Sequence, residues 1–323
     1  MLRLLIITFL HLTALSVSIY ADGDVDREII VLVGASGSDK YQDIFSATAD
    51  KWKVAAERGE AAITFIGNTE RTDDETSDAE KLRLAIERVT APELWVVLIG
   101  HGTFDSRSVK FNTRGPDFTD SELAAWLTDY EGELAVINTA SASGSFIQHL
   151  SAPKRIIITA TKNESEVFYT RFGGFFAEAI GGLPDADIDN DKQVSLLESF
   201  LYASAQVAGF YEDEQRLATE HGLIDDNGDN QGSRSEWYEG TTATQVPGKD
   251  LEPDGERAGQ KVLVRNEFER RLTSQQRSQR DELERRVRQL RRTRDEMEED
   301  AYYGKLEELL LQLARIYDKV KDS

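Results

Sequence analysis

The sequence predicts a doubly wound α/β domain, a mostly parallel sheet with helices on both faces, followed by a helical extension. Three observations carry this. From residue 26 to about residue 210, short apolar runs rich in β-branched residues alternate with longer segments of helical spacing. Several of those runs are apolar on both faces, as strands inside a parallel sheet must be. Past about residue 222 the alternation stops, and beyond residue 259 apolar residues return at heptad spacing.

Taken in order, strands are expected at 28–33, 62–66, 94–99, 134–137 and 155–159. Helices fill the gaps at 41–56, 77–88, 120–128, 146–150, 172–180 and 195–207, with Thr119 or Asp120 capping the third. Strand and helix in alternation give parallel neighbours. Residues 222–256 shift to Asp, Asn, Gly, Ser and Thr with Pro247 and Pro253, which reads as loop and then linker. Two heptad stripes follow, through Leu283, Val287, Leu290 and Met297 and through Leu306, Leu309, Leu313, Ile316 and Val320, with Gly304 expected to break the helix into a hairpin. The expected division is a signal peptide at 1–21, an α/β domain at 22–245, a linker at 246–258 and a helical coiled-coil segment at 259–323, which could pack on its own domain or pair two subunits as a homo-oligomer.

With 40% hydrophobic residues and only 6 prolines, the chain can bury a substantial core. Acid dominates base, 59 Asp and Glu against 38 Lys and Arg, for a net charge of -21. That balance opposes nucleic acid and anionic membranes and favours cations, Ca2+ first. The Arg-rich stretch 285–294 is interleaved with acids and reads as a solvated helix face. At the start, one positive charge precedes a short apolar run and the small residues Ser16, Ser18 and Ala21, the pattern of a signal peptide cleaved after Ala21. A secreted or periplasmic protein is expected, with no membrane contact after cleavage. The absence of cysteine excludes a disulfide framework and every thiol mechanism.

The run Leu94-Trp-Val-Val-Leu-Ile-Gly-His-Gly-Thr puts His101 and Gly102 directly after a strand, at the carboxyl edge where open α/β sheets hold their sites. The next strand, Leu134-Ala-Val-Ile-Asn-Thr-Ala-Ser-Ala-Ser-Gly-Ser-Phe, brings Ser141 to the same edge. A strand ending in His-Gly followed by one ending in Ala-Cys-x-Ser-Gly marks the caspase-like (clan CD) peptidases, and this chain resembles legumains most closely among them. Ala140-Ser141-Ala142-Ser143-Gly144-Ser145 matches at every position but the cysteine. The resemblance covers roughly residues 26–230. It implies a caspase-like fold in which Ser141 stands at the nucleophile position, His101 serves the leaving group and the Gly102 amide helps hold the oxyanion. Asn138 and Ser143 would line the site, and Ser145 would start a helix.

Serine at that position changes the chemistry, because a hydroxyl needs a well-placed general base where a thiol is already partly ionised. The leading expectation is a pseudopeptidase that binds a peptide or protein without cutting it. An active serine-type hydrolase would need a carboxylate to orient His101, and Asp105 and Asp117 on the following loop are the candidates. A coiled-coil assembly protein using the α/β domain as scaffold is the third reading.

A separate motif lies at Asp187-Ile-Asp-Asn-Asp-Lys-Gln-Val-Ser-Leu-Leu-Glu198. Asp187, Asp189, Asp191, Ser195 and Glu198 fall at positions 1, 3, 5, 9 and 12 of a calcium loop, with the Gln193 carbonyl at position 7. Lys192 stands where glycine is usual. Asp225-Asp-Asn-Gly-Asp-Asn230 is a second cluster of similar chemistry without the full register or a closing glutamate; completing the first site across space and forming a turn are the two readings, the turn slightly favoured, and His221 before it reads as a surface histidine.

Overall fold

The computed structural model describes residues 26–68, 76–249 and 251–321, so the expected signal peptide lies outside the described residues. β1 (Arg27–Val33), α1 (Asp39–Arg58), β2 (Ala62–Ile66), α2 (Asp78–Arg88) and β3 (Glu93–Ile99) form the first half of the alternation. Three short strands follow, β4 (Gly102–Phe104), β5 (Val109–Phe111) and β6 (Phe118–Thr119). Then come α3 (Asp120–Trp126), β7 (Glu133–Asn138), α4 (Phe146–Leu150), β8 (Arg155–Thr159), α5 (Phe172–Ile180) and α6 (Leu196–Asp213). β9 (Leu223–Asp225), β10 (Ser233–Arg234) and the pair β11 (Tyr238–Glu239) and β12 (Thr242–Ala243) complete the strands, and α7 (Glu267–Arg271), α8 (Ser274–Arg292) and α9 (Glu299–Lys321) form the tail.

The main sheet has the order β10-β9-β8-β7-β3-β1-β2, with β9 antiparallel to both its neighbours, β8 and β10, and every other pair parallel. This is the expected α/β class, with helices on both faces. Strand alternation divides the core cleanly. Ile29, Val31, Val33, Trp95, Val97, Ile99, Ala135 and Ile137 face the layer of α1, α5 and α6, while Ile30, Leu32, Leu94, Val96, Leu98, Leu134 and Val136 face α2, α3 and α4. The chain runs from β1 outward to β2 and then crosses back to β3 on the other side of β1, which creates a switch point at the carboxyl ends of β1 and β3. Thr119 caps α3 through a capping box with Glu122, as its position implied.

Three expectations need correction. The small antiparallel sheet β4-β5-β6 was not anticipated; it sits on the carboxyl edge, where the Asn112 amide donates to the His101 carbonyl and fixes it. The stretch 246–258 does not behave as a free linker at its end, because Asp254 and Ala258 are buried and the Asp226 carboxylate accepts the amides of Gly255, Arg257 and Ala258 at 2.7–2.8 Å. Backbone anchoring of this kind leaves no apolar period to read. The hairpin turn lies at 293–298 and not at Gly304, which sits exposed inside α9.

The tail's heptad residues meet one another. Leu283, Val287 and Leu290 of α8 cluster with Tyr302, Leu309, Leu313 and Ile316 of α9, supported by Leu272 and Phe268. The side chain of Val320 lies outside the described residues. The tail also docks on the α/β body. Arg277 of α8 reaches Asp26 at 2.7 Å, and the Gln260 amide donates to the Asp281 carbonyl at 3.0 Å. Beneath this contact, buried Arg27 pairs with Glu93, lies over the Trp95 ring and donates to the Val262 carbonyl at 2.8 Å. No helix among the described residues is long and apolar enough to cross a membrane.

Candidate functional site

β3 and β7 are hydrogen-bonded neighbours in register Leu98↔Asn138, so the chain leaving each strand emerges beside the other. Thr139 continues the pairing, its amide and hydroxyl both donating to the Leu98 carbonyl. This delivers Ser141 against Gly102. The Gly102 amide donates to Ser141 Oγ at 3.1 Å, and the same hydroxyl donates to the Gly102 carbonyl at 3.0 Å. Ser141 is 3% exposed. A Cβ on residue 102 would lie 2.1 Å from the Ser141 carbonyl oxygen, so only glycine allows this approach. Ala142 then turns the chain with φ of 56°, its amide held by the Glu166 carbonyl.

His101 is placed at the same edge but faces another way. Its ring packs edge-on against Tyr41 at 4.6 Å and Phe45 at 5.1 Å, with Tyr169 at 6.3 Å. Burial among these rings holds its pKa below the usual value near 6.5, outweighing a hydrogen bond to the Ser36 backbone that favours the charged form. Among the described residues no hydrogen bond joins His101 to Ser141. Neither candidate carboxylate orients it. Asp105 turns back on its own loop, accepting the amides of Arg107 and Ser108, and these bonds hold its pKa down at about 2. Asp117 accepts the Thr113 amide.

The expected lining residues are placed differently. Ser143 is fully buried, where its hydroxyl accepts the Ala160 and Thr161 amides and ties the motif to the end of β8. Asn138 is also buried, its Oδ1 accepting the Ala140 amide while its Nδ2 has no partner. Neither presents a side chain to a ligand in this conformation. Ser145 precedes α4 but gives no cap, donating instead to Glu164 at 2.8 Å. The residues that reasoning from sequence missed lie on the segment between β8 and α5. Glu166 accepts the Lys162 and His221 amides and the His221 ring, so His221 is a structural partner and not a free surface group. Beside it Val167 and Phe168 are exposed at 50% and 65%, and Tyr169 touches His101. An aromatic and aliphatic pair inside a polar loop was the available signal.

The Asp187 loop lies apart from this edge. Oxygens of Asp187, Asp189 and Asp191 all fall within 4.8 Å of one another. Lys192 takes φ of 70°, the left-handed conformation usually given to glycine, and its amide donates to Asp187 at 3.0 Å. The Gln193 amide donates to Asp191, and the Gln193 side chain also reaches Asp191 and Asn266. Burial, then the charges of Glu198, Asp191 and Asp187, push the Asp189 carboxyl up. Glu198 is buried and committed: one oxygen accepts the Ile188 and Asp189 amides, the other closes a capping box with Ser195. The donor set of clustered carboxylates suits a hard cation with oxygen ligands. The 225–230 cluster also needs correction: Gln231, Ser233 and Glu236 continue it at positions 7, 9 and 12 of the same register.

No protein-family model matches the chain, and the search of curated proteins gave no match. Among solved structures, the Drosophila initiator caspase Dronc is similar at 10% identity with a TM-score of 0.41, over 66% of this chain and 84% of that one. Caspase-1 from Spodoptera frugiperda is similar at 12% identity with a TM-score of 0.41, over 63% of this chain and 87% of that one.

Proposed function

We propose that the chain is a caspase/legumain-like peptidase homologue that binds peptide or protein at the carboxyl edge of its sheet and does not cleave it. The observation that supports this most is the state of Ser141. Its proton is given to the Gly102 carbonyl and its lone pair takes the Gly102 amide, the donor that the resemblance assigns to the oxyanion. Attack would require both bonds to break, and among the described residues no base makes a hydrogen bond to the hydroxyl to replace them. His101, its charged form disfavoured by burial among aromatic rings, is suited to packing under a ligand. The exposed Val167 and Phe168 supply apolar contact at the rim.

Turnover of a diverse fluorogenic peptide library by the native chain, Ser141→Ala and Ser141→Cys tests the proposal. Silence from the native chain is expected. Cleavage that vanishes in Ser141→Ala would establish a serine-type hydrolase instead.

The proposal extends to export directed by residues 1–21 and to a structural Ca2+ held by Asp187, Asp189, Asp191 and the Gln193 carbonyl, with Ser195 and Glu198 at positions 9 and 12 closing the loop through their capping box. The three clustered carboxylates support the latter. Chelation should lower the melting temperature of the Ca2+-loaded native chain, and Asp187→Ala should shrink that loss; a chelator-insensitive native chain would remove the metal from the proposal. Self-association through the tail would use Tyr303, Leu310 and Leu311, the large apolar residues exposed on the described part of α9.

A further inference from the structure

We propose that Asp225–Glu236 is a second cation loop, built on the register of Asp187–Glu198 and taking a hard divalent cation of the Ca2+ class through Asp225, Asn227, Asp229 and the Gln231 carbonyl. Aligned by position, the two loops read Asp187/Asp225, Asp189/Asn227, Asp191/Asp229, Gln193/Gln231, Ser195/Ser233 and Glu198/Glu236. The backbone follows the same course. Position 4 is left-handed in both, Asn190 at φ 61° and Gly228 at 84°, and so is position 6, Lys192 at 70° and Asn230 at 66°. The amide of position 7 donates to the carboxylate of position 5 at 2.8 Å in each. The amide of position 5 donates to the side chain of position 3 in each, Asp191 to Asp189 and Asp229 to Asn227.

The observation that points to a ligand is Asp225 itself. It is 1% exposed, its Oδ1 accepts the Gly228 amide at 3.0 Å, and its Oδ2 is buried with no hydrogen-bond partner. The carboxyl folds over its own loop and feels the charge of Asp229. The Ser151 hydroxyl, which accepts the Asn230 amide, lies close enough to the carboxyl to favour its charged form as a donor, but does not reach Oδ2 with hydrogen-bond geometry. A buried carboxylate oxygen without a donor is costly, and a cation seated among positions 1, 3 and 5 removes that cost.

The neighbours define the ligand set by exclusion. Asp226 points the other way, committed to the amides of Gly255, Arg257 and Ala258. Ser233 donates to Asp254 at 2.6 Å, so position 9 does not reach the ion directly here. Asp225 pairs with Ile157 across β9 and β8, and Ser233 pairs with Ile224, so an ion in this loop would fasten the antiparallel edge of the sheet.

The test is the number of Ca2+ ions bound per full chain, by native mass spectrometry and equilibrium dialysis, in the native protein, in Asp225→Asn/Asp229→Asn and in Asp187→Asn/Asp191→Asn. The expected counts are two, one and one. If the first loop does not bind, the native chain holds one ion and Asp225→Asn/Asp229→Asn holds none, which still supports the second loop. A count unchanged by Asp225→Asn/Asp229→Asn overturns it. Because buried Asp225 also serves the fold, Asp229→Asn alone is compared by hydrogen exchange in the Asp187→Asn/Asp191→Asn background. Ca2+ should slow exchange at Ile224 and Ser233, and Asp229→Asn should abolish the slowing; exchange indifferent to Ca2+ in that background overturns the proposal.

Discussion

Ser141 closes a two-bond latch with Gly102 in a site that water barely reaches, so its hydroxyl has a structural value independent of any chemistry. Ser141→Ala should destabilise the fold by about 1–3 kcal/mol, because the Gly102 amide and carbonyl are then left buried without partners. Urea unfolding checks this. Ser141→Cys keeps a weaker donor and acceptor and should fall between the two. His101 makes a matching prediction. Its proton should titrate below the ordinary value near 6.5, since burial disfavours the charged ring, and an NMR titration should show the same midpoint in native chain and Ser141→Ala, there being no bond between the two side chains to lose. A midpoint that moves with Ser141 would restore the coupled pair a hydrolase requires.

At the scale of elements, the parallel strands are legible because each is an apolar run rich in β-branched residues, buried on both faces in all but the edge strand β2, and β2 and β8 end where the residues indicate. The short strands β4 to β6, β9 and β10 were not, since two or three residues carry no period and their order comes from backbone bonds across the edge. Of the site, His101, Gly102 and Ser141 were legible in position, because strand ends fix them. Ring orientation and the burial of Asn138 and Ser143 depend on α1 and on the segment after β8, remote in sequence. Glu236 is hard to read as position 12 because only a three-residue 3-10 turn, Ser235–Trp237, lies there, where Glu198 sits in the first turn of the long helix α6. Gly304 was misread for the opposite reason: glycine suggests a break, but the leucine stripe of α9 packs on α8 and carries the helix through. An added Cβ at Gly304 would meet nothing within 4 Å, so Gly304→Ala should stabilise the hairpin by about 1 kcal/mol, read as a higher denaturation midpoint.

For the whole molecule, two buried carboxyl groups make stability depend on pH in opposite senses. Burial works against the Glu93 carboxylate, but Arg27 and Lys261 hold its pKa down at about 2, so its contribution is present above the ordinary carboxylate range and is lost as pH falls toward that value. Asp254 goes the other way: burial and then the charge of Asp226 push it up. Its contribution is complete below about pH 4, the unfolded value, and is lost as pH rises until the folded group ionises. Asp254→Asn should therefore flatten the decline in stability between about pH 5 and about pH 9, measured as urea midpoints across that range. An unchanged slope would place the titration elsewhere. The same bonds that join the tail to the body also order events in time. Arg27 meets Val262 across 235 residues of sequence and Asp26 meets Arg277 across 251, so a chain emerging from the ribosome exposes the charged start of β1 until nearly all of it has been made. Contacts this distant carry a large loop-closure cost and slow the search. Vectorial synthesis thus lets β1 pair early with β2 and β3 while its charged start waits for the tail to be sealed.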